Sequence, residues 1–126
     1  MKNAPAKIQL VAVVDDDESV RSAIHSALKS VGLTARSFGS AEEFLDSGIR
    51  SETACLITDM QMPGMSGLEL QATLAGDGGR IAIIFITAYG EPWMRAQAMQ
   101  AGAIECLDKP FDDNVLLETV RKALKA

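Results

Sequence analysis

The sequence predicts an α/β fold, a doubly wound sheet of five parallel strands with five helices. Apolar runs of strand length alternate five times with segments whose apolar residues recur at helical spacing. The strand runs are nearly continuous, as expected of strands covered on both faces. Strand and helix in strict alternation imply parallel pairing through right-handed crossovers.

Each element has its own signal. Ile8 to Val14 is an apolar run closed by Asp15-Asp16. Val20, Ile24, Ala27, Leu28 and Val31 then recur on one helical face, with Asp17 suited to cap its start and Gly32 to stop it. Leu33 to Phe38 is a short second strand. Ser40-Ala41-Glu42-Glu43 has a capping-box pattern and opens a short helix through Phe44 and Leu45. Ala54 to Thr58 is a third strand, ending at Asp59. Ser66-Gly67-Leu68-Glu69 is a second capping box, and Leu70 and Leu74 share a face of the helix it starts. Ile81 to Ile86 is the fourth strand, ending at Thr87. Gly90-Glu91-Pro92 opens a helix carrying Met94, Ala98 and Ala101, and Gly102 ends it. Ala103 to Leu107 is a fifth strand. Asp112 caps a last helix with Leu116, Val120, Ala123 and Leu124 inward and Arg121, Lys122 and Lys125 near its end.

The bulk numbers set limits. The 126 residues suit one domain, spanning 1–126, and 48% hydrophobic content supports a core. With 12 basic and 17 acidic residues the net charge is −5, which disfavours direct contact with nucleic acid. Cys55 and Cys106 lie within apolar runs, lack metal-ligand spacing and read as buried free thiols of a reducing compartment. The start has no apolar signal core, and no segment is long enough to cross a bilayer, so a cytoplasmic protein is expected.

Four of the five strands end in Asp15-Asp16, Asp59, Thr87 and Lys109. Taken singly, each is an ordinary turn or capping residue. Together they fall where a doubly wound sheet binds ligands, outside the carboxyl ends of its strands. Clustered carboxylates repel unless a cation neutralises them. Oxygen-only ligands select a hard ion such as Mg²⁺. Thr87 offers a hydroxyl donor and Lys109 a compact positive charge for a phosphoryl group, which an aspartate can attack to give an acyl phosphate.

These residues match a family in order. Val13-Val14-Asp15-Asp16, the run from Asp59 through Met62-Pro63-Gly64-Met65-Ser66-Gly67, Ile86-Thr87-Ala88 and Asp108-Lys109-Pro110-Phe111 resemble the receiver domain of two-component response regulators over nearly the whole chain. The resemblance implies a flavodoxin-like sheet of order 2-1-3-4-5 and a signalling domain that is not an enzyme. It implies Asp59 as phosphoacceptor, with Asp15, Asp16, Asp59 and the backbone carbonyl of Gln61 as Mg²⁺ ligands. Thr87 and Lys109 would contact the phosphoryl group, and the Lys109–Pro110 bond would be cis, a geometry accessible before proline. A sensor histidine kinase is the implied donor, and the surface of the fourth helix, fifth strand and fifth helix the part that switches. The segment Phe38-Gly39-Ser40-Ala41-Glu42-Glu43-Phe44 resembles receivers joined to DNA-binding domains in nitrogen-fixation and nodulation regulators. A DNA-binding output domain in a longer parent protein and a second copy on phosphorylation are further candidate partners.

The chain departs from the pattern at Cys106, where many receivers carry an aromatic residue whose rotamer follows phosphorylation. A thiol is too small for that gate. The fourth helix and its preceding loop are therefore expected to carry more of the change. Tyr89 either shields the acyl phosphate from water or packs on the surface. A competing reading is a phosphatase or phosphotransferase of the haloacid dehalogenase type, built on Asp15-x-Asp17, Thr87, Lys109 and Asp112-Asp113. It leaves Asp59 idle and provides no cap over a substrate. A third reading is a receiver-like interaction module that works without phosphate, although every acceptor and metal position is filled. His25 reads as a surface residue, Trp93 as partly exposed, and Met60, Met62 and Met65 as packing around the site.

Overall fold

β1 (Leu10–Val14) and β3 (Thr53–Asp59) lie side by side at the middle of a five-stranded parallel sheet. In this computed structural model, which describes residues 9–78, 80–88 and 90–125, β2 (Thr34–Phe38) flanks β1. On the other side follow β4 (Ala82–Thr87) and β5 (Glu105–Asp108), giving the order β2-β1-β3-β4-β5. The helices between them are α1 (Glu18–Ser30), α2 (Ala41–Asp46), α3 (Gly67–Gly76), α4 (Pro92–Gln100) and α5 (Asp113–Lys125).

Successive side chains of a strand point to opposite faces, and here both faces are covered. Leu10, Ala12, Val14, Leu56 and Phe85 pack on one side with Phe44 of α2, Leu70 and Leu74 of α3, and Met94 and Ala98 of α4. Val11, Val13, Cys55, Ile57, Ile84 and Ile86 pack on the other with Ile24 and Leu28 of α1 and Leu116 and Val120 of α5. That is why the runs of β1, β3 and β4 are almost continuously apolar, while the edge strands β2 and β5 carry polar, exposed residues.

The caps follow the sequence closely. The Asp17 carboxylate accepts the N–H groups of Ser19 and Val20 and starts α1. Ser66 and Glu69 make the full reciprocal capping box at α3. At α2 only half of it forms: Ser40 accepts the Glu43 N–H, while the Glu43 side chain makes no return bond.

Several expectations need correction. β5 begins at Glu105, not Ala103, because the Ala103 N–H closes the end of α4 on the Ala98 carbonyl at 3.0 Å. As an edge strand, β5 leaves Cys106 half-buried and not within the core. Ala101 and Val31 each fall at a helix C-cap and are exposed. A 3₁₀ turn at Arg50–Glu52 leads into β3 without a clear sequence signal. Gln71, polar by sequence, is buried on α3 and donates to the Ala98 carbonyl of α4 at 3.0 Å. Among the described residues no helix is long and apolar enough to cross a membrane.

The chain leaves β3 through a turn that returns closely on itself. The Gly67 N–H donates to the Met60 carbonyl at 2.9 Å, and a Cβ on Gly67 would stand 2.0 Å from the Asp59 carbonyl oxygen. No side chain fits there without moving the backbone that carries Asp59. Gly67→Ala is expected to destabilise the protein by about 2 kcal/mol or more. Urea unfolding checks this; a midpoint equal to wild type would show that the backbone yields freely.

Candidate functional site

The strand order reverses between β1 and β3, and the crevice at their carboxyl ends is where such a sheet binds ligands. Asp15 is the first residue beyond β1. It is fully buried, its N–H donates to the Phe38 carbonyl at 3.2 Å, and its Oδ1 accepts the Asp17 N–H at 2.9 Å. Asp16 follows, exposed. Asp59 closes β3, buried, with its Oδ1 accepting the Gln61 N–H at 3.2 Å. Thr87 closes β4, also buried, and its carbonyl accepts the Lys109 N–H at 2.9 Å. That bond ties the end of β4 to the residue after β5. The Lys109–Pro110 peptide is cis.

Lys109 reaches across the crevice. Its Nζ lies 2.8 Å from Asp59 Oδ2 and 2.8 Å from Asp15 Oδ2. The approach to Asp59 has hydrogen-bond geometry; the one to Asp15 is an ion pair only. Asp15 Oδ2 is thus a buried oxygen left without a hydrogen bond. Burial pushes the Asp15 carboxyl above its ordinary value, and the charge of Asp59 adds to this, against the opposing pull of Lys109 and the Asp17 N–H. For Lys109 burial acts downward, but its contacts with the Asp15 and Asp59 carboxylates outweigh it and hold the ammonium above its ordinary value.

Carboxylate oxygens of Asp15, Asp16 and Asp59 come within 4.8 Å of one another. Three hard oxygen donors, one of them buried and ion-paired to Lys109 but without a hydrogen bond, fit a small divalent cation such as Mg²⁺. The Gln61 backbone lies in the loop directly beyond Asp59, and its side-chain Nε2 donates to Met94 Sδ of α4 at 3.8 Å.

The other singled-out residues fall elsewhere. Asp17 and Asp112 are spent on capping α1 and α5, so the haloacid dehalogenase pattern finds no second acidic pair, while Asp59 occupies the centre. The Asp17 carboxyl is held below its ordinary value by its bonds to Ser19. His25 is partly exposed, with Nδ1 3.4 Å from Ser37 Oγ, away from the acids. Trp93 is 59% exposed and its indole N–H donates to Glu91. Burial pushes the Cys55 thiol up to about 12, leaving it inert, and raises that of Cys106. Met60 and Met62 are buried in the core on the α2–α4 side, against which Met65 packs. Tyr89 lies outside the described residues. Two contacts escaped the sequence reading. Arg21 of α1 donates to the Asp15 carbonyl at 2.7 Å, and Glu42 of α2 accepts the Met65 N–H at 3.0 Å. Neither contact has a signal in the sequence, since each is made to backbone outside the residue's own helix.

The family model described as the response regulator receiver domain matches residues 11–121. The chain belongs to this family. Its sequence is 41% identical over 114 residues to the transcriptional regulatory protein FixJ of Azorhizobium caulinodans, covering 90% of this chain and 54% of that protein. It is 45% identical over 111 residues to nodulation protein W of Bradyrhizobium diazoefficiens, covering 88% of this chain and 49% of that protein. The chain spans about half the length of these relatives. The crystal structure of FixJ-N matches with a TM-score of 0.83 at 35% identity, covering 99% of this chain and 96% of that one. The receiver therefore resembles those of nitrogen-fixation and nodulation regulators, in sequence and in its β2-β1-β3-β4-β5 order. Receivers of this family are signalling domains of two-component systems.

The raised Asp15 value has a definite pH signature. A carboxyl whose folded pKa exceeds its free value of 3.8 destabilises the fold while ionised. The penalty is full above the folded pKa, fades as pH falls through it and vanishes below the free value. In metal-free buffer Asp15→Asn should therefore raise the urea midpoint at pH 7, by a margin that shrinks on acidification toward pH 4. A gain that grows on acidification would contradict this account.

Proposed function

We propose that this receiver accepts a phosphoryl group on Asp59 from a phosphohistidine of a sensor histidine kinase. The observation that carries the reading is the Asp59 carboxylate at the switch-point crevice, held by the Lys109 ammonium at 2.8 Å beside two further carboxylates. Asp15, Asp16, Asp59 and the Gln61 backbone carbonyl would hold Mg²⁺. When bound, that ion neutralises the carboxylates and draws charge from the phosphoryl oxygens. An Asp59 oxygen attacks phosphorus, the new O–P bond forms as the N–P bond breaks, and the imidazole leaves and takes up a proton from water. The Lys109 ammonium then pairs with one phosphoryl oxygen, and the Thr87 hydroxyl donates to another.

Thr87 begins the loop into α4, so its movement toward the phosphoryl group draws that loop with it. The surface of α4, β5 and α5 changes as a result and controls an output domain, a partner or pairing with a second copy. With Cys106 at the usual aromatic position, α4 and its loop carry the change without a ring rotation. The unit acts as one domain over residues 1–126, in the cytoplasm, without catalysing turnover of a substrate. Its relatives' names support a DNA-binding output domain in a longer parent protein. The chain itself makes no direct contact with nucleic acid or membrane.

Acetyl phosphate with Mg²⁺ should add one phosphoryl group, detected by mass spectrometry, and Asp59→Asn should abolish it. An adduct persisting in the mutant refutes Asp59 as acceptor. Thr87→Ala should still be phosphorylated yet lose the phosphorylation-dependent change in elution on a sizing column or in partner binding. An unchanged response in that mutant would sink the proposed switch.

A further inference from the structure

The metal-binding acids Asp15 and Asp16 share one turn, and something outside that turn holds it. In a parallel ladder a residue bonds to two positions of its neighbour, one before and one after the residue opposite. The Asp15 N–H takes the first, the Phe38 carbonyl. The next N–H in line would be that of Ser40, but the chain turns there to cap α2. The Asp15 carbonyl is met instead by Arg21 Nη1 from the first turns of α1, at 2.7 Å.

We infer that Arg21 is a positioning residue for the metal site. The carbonyl of Asp15 and the N–H of Asp16 belong to one rigid peptide plane. Arg21 fixes that plane from one side, and the bond from the Asp17 N–H to Asp15 Oδ1 fixes the Asp15 side chain from the other. The orientation of both acids toward Asp59 follows. Arg21 pairs with no carboxylate among the described residues, so it does not use up the ligands it aligns. The inference rests on the proposed Mg²⁺ site.

Charge and positioning predict opposite signs. A fixed cation near the site opposes Mg²⁺, so removing it for electrostatic reasons alone tightens binding. Loss of the anchor weakens binding, by roughly tenfold if Arg21 behaves like other groups that orient ligands. Calorimetric titration of Mg²⁺ into the wild-type chain, Arg21→Met and Arg21→Lys separates them, with folding checked by circular dichroism. Weakest binding in Arg21→Met and partial recovery in Arg21→Lys support the inference. Equal or tighter binding in a folded Arg21→Met overturns it while leaving the metal site intact. No Mg²⁺ binding by the wild-type chain removes the metal reading, and the inference with it. If Arg21→Met does not fold, Arg21→Gln takes its place with the same two outcomes.

Discussion

One ammonium stands between two carboxylates at the open end of the sheet. Lys109 Nζ is 2.8 Å from both Asp15 and Asp59, and Asp16 lies close to them. Three acids and one base leave two negative charges uncompensated where Asp15 is fully buried. Such an arrangement is unfavourable unless the scaffold enforces it. The enforcement comes from the sheet. β1 and β3 are covered on both faces, so Asp15 and Asp59 at their carboxyl ends are held out of water. The Lys109 N–H bond to the Thr87 carbonyl fixes where the lysine starts its reach. The excess negative charge gathered there suits the crevice to a divalent cation, as the proposed function requires.

The crevice is connected to α4 by contacts that do not pass through an aromatic gate. The Gln61 amide meets Met94, Gln71 of α3 holds the Ala98 carbonyl, and Arg95 pairs with Asp108 beside Lys109. Gly90 lies against Thr87, since a Cβ there would stand 2.6 Å from the threonine methyl. Beyond the core packing of Met94 and Ala98, the helix most involved in the proposed switch is held by a thioether contact, one buried amide bond and a partly exposed ion pair. Each is individually weak, of order 1 kcal/mol. In the proposed switch, a stronger interaction at Thr87 would work against these polar contacts. Cys106 packs against the core on the same side and is too small to obstruct it.

Legibility tracked the range of the interactions. Local signals, the Asp17 cap and the Ser66–Glu69 box, were read correctly because they involve residues within three positions of one another. The fifth strand was misplaced by two residues because the Ala103 N–H is claimed by Ala98, a competition between helix end and strand start that apolar content does not reveal. The burial of Gln71 depends on α4, whose Ala98 carbonyl it meets. Arg21 and Glu42 belong to the same class: their partners lie on other elements, and their own neighbours in sequence say nothing of them.

By itself the sequence determined the alternation of strands and helices, the burial of both sheet faces and the set of polar residues at the strand ends. These follow from periodicity and local hydrogen bonding, which need no knowledge of what lies across the molecule. Only the tertiary structure decided that one lysine bridges Asp15 and Asp59, that Asp15 Oδ2 is left short of a hydrogen bond, and that Arg21 closes the ladder where β2 ends. Those outcomes depend on distances between separate elements, fixed when the two cores pack the helices against the sheet.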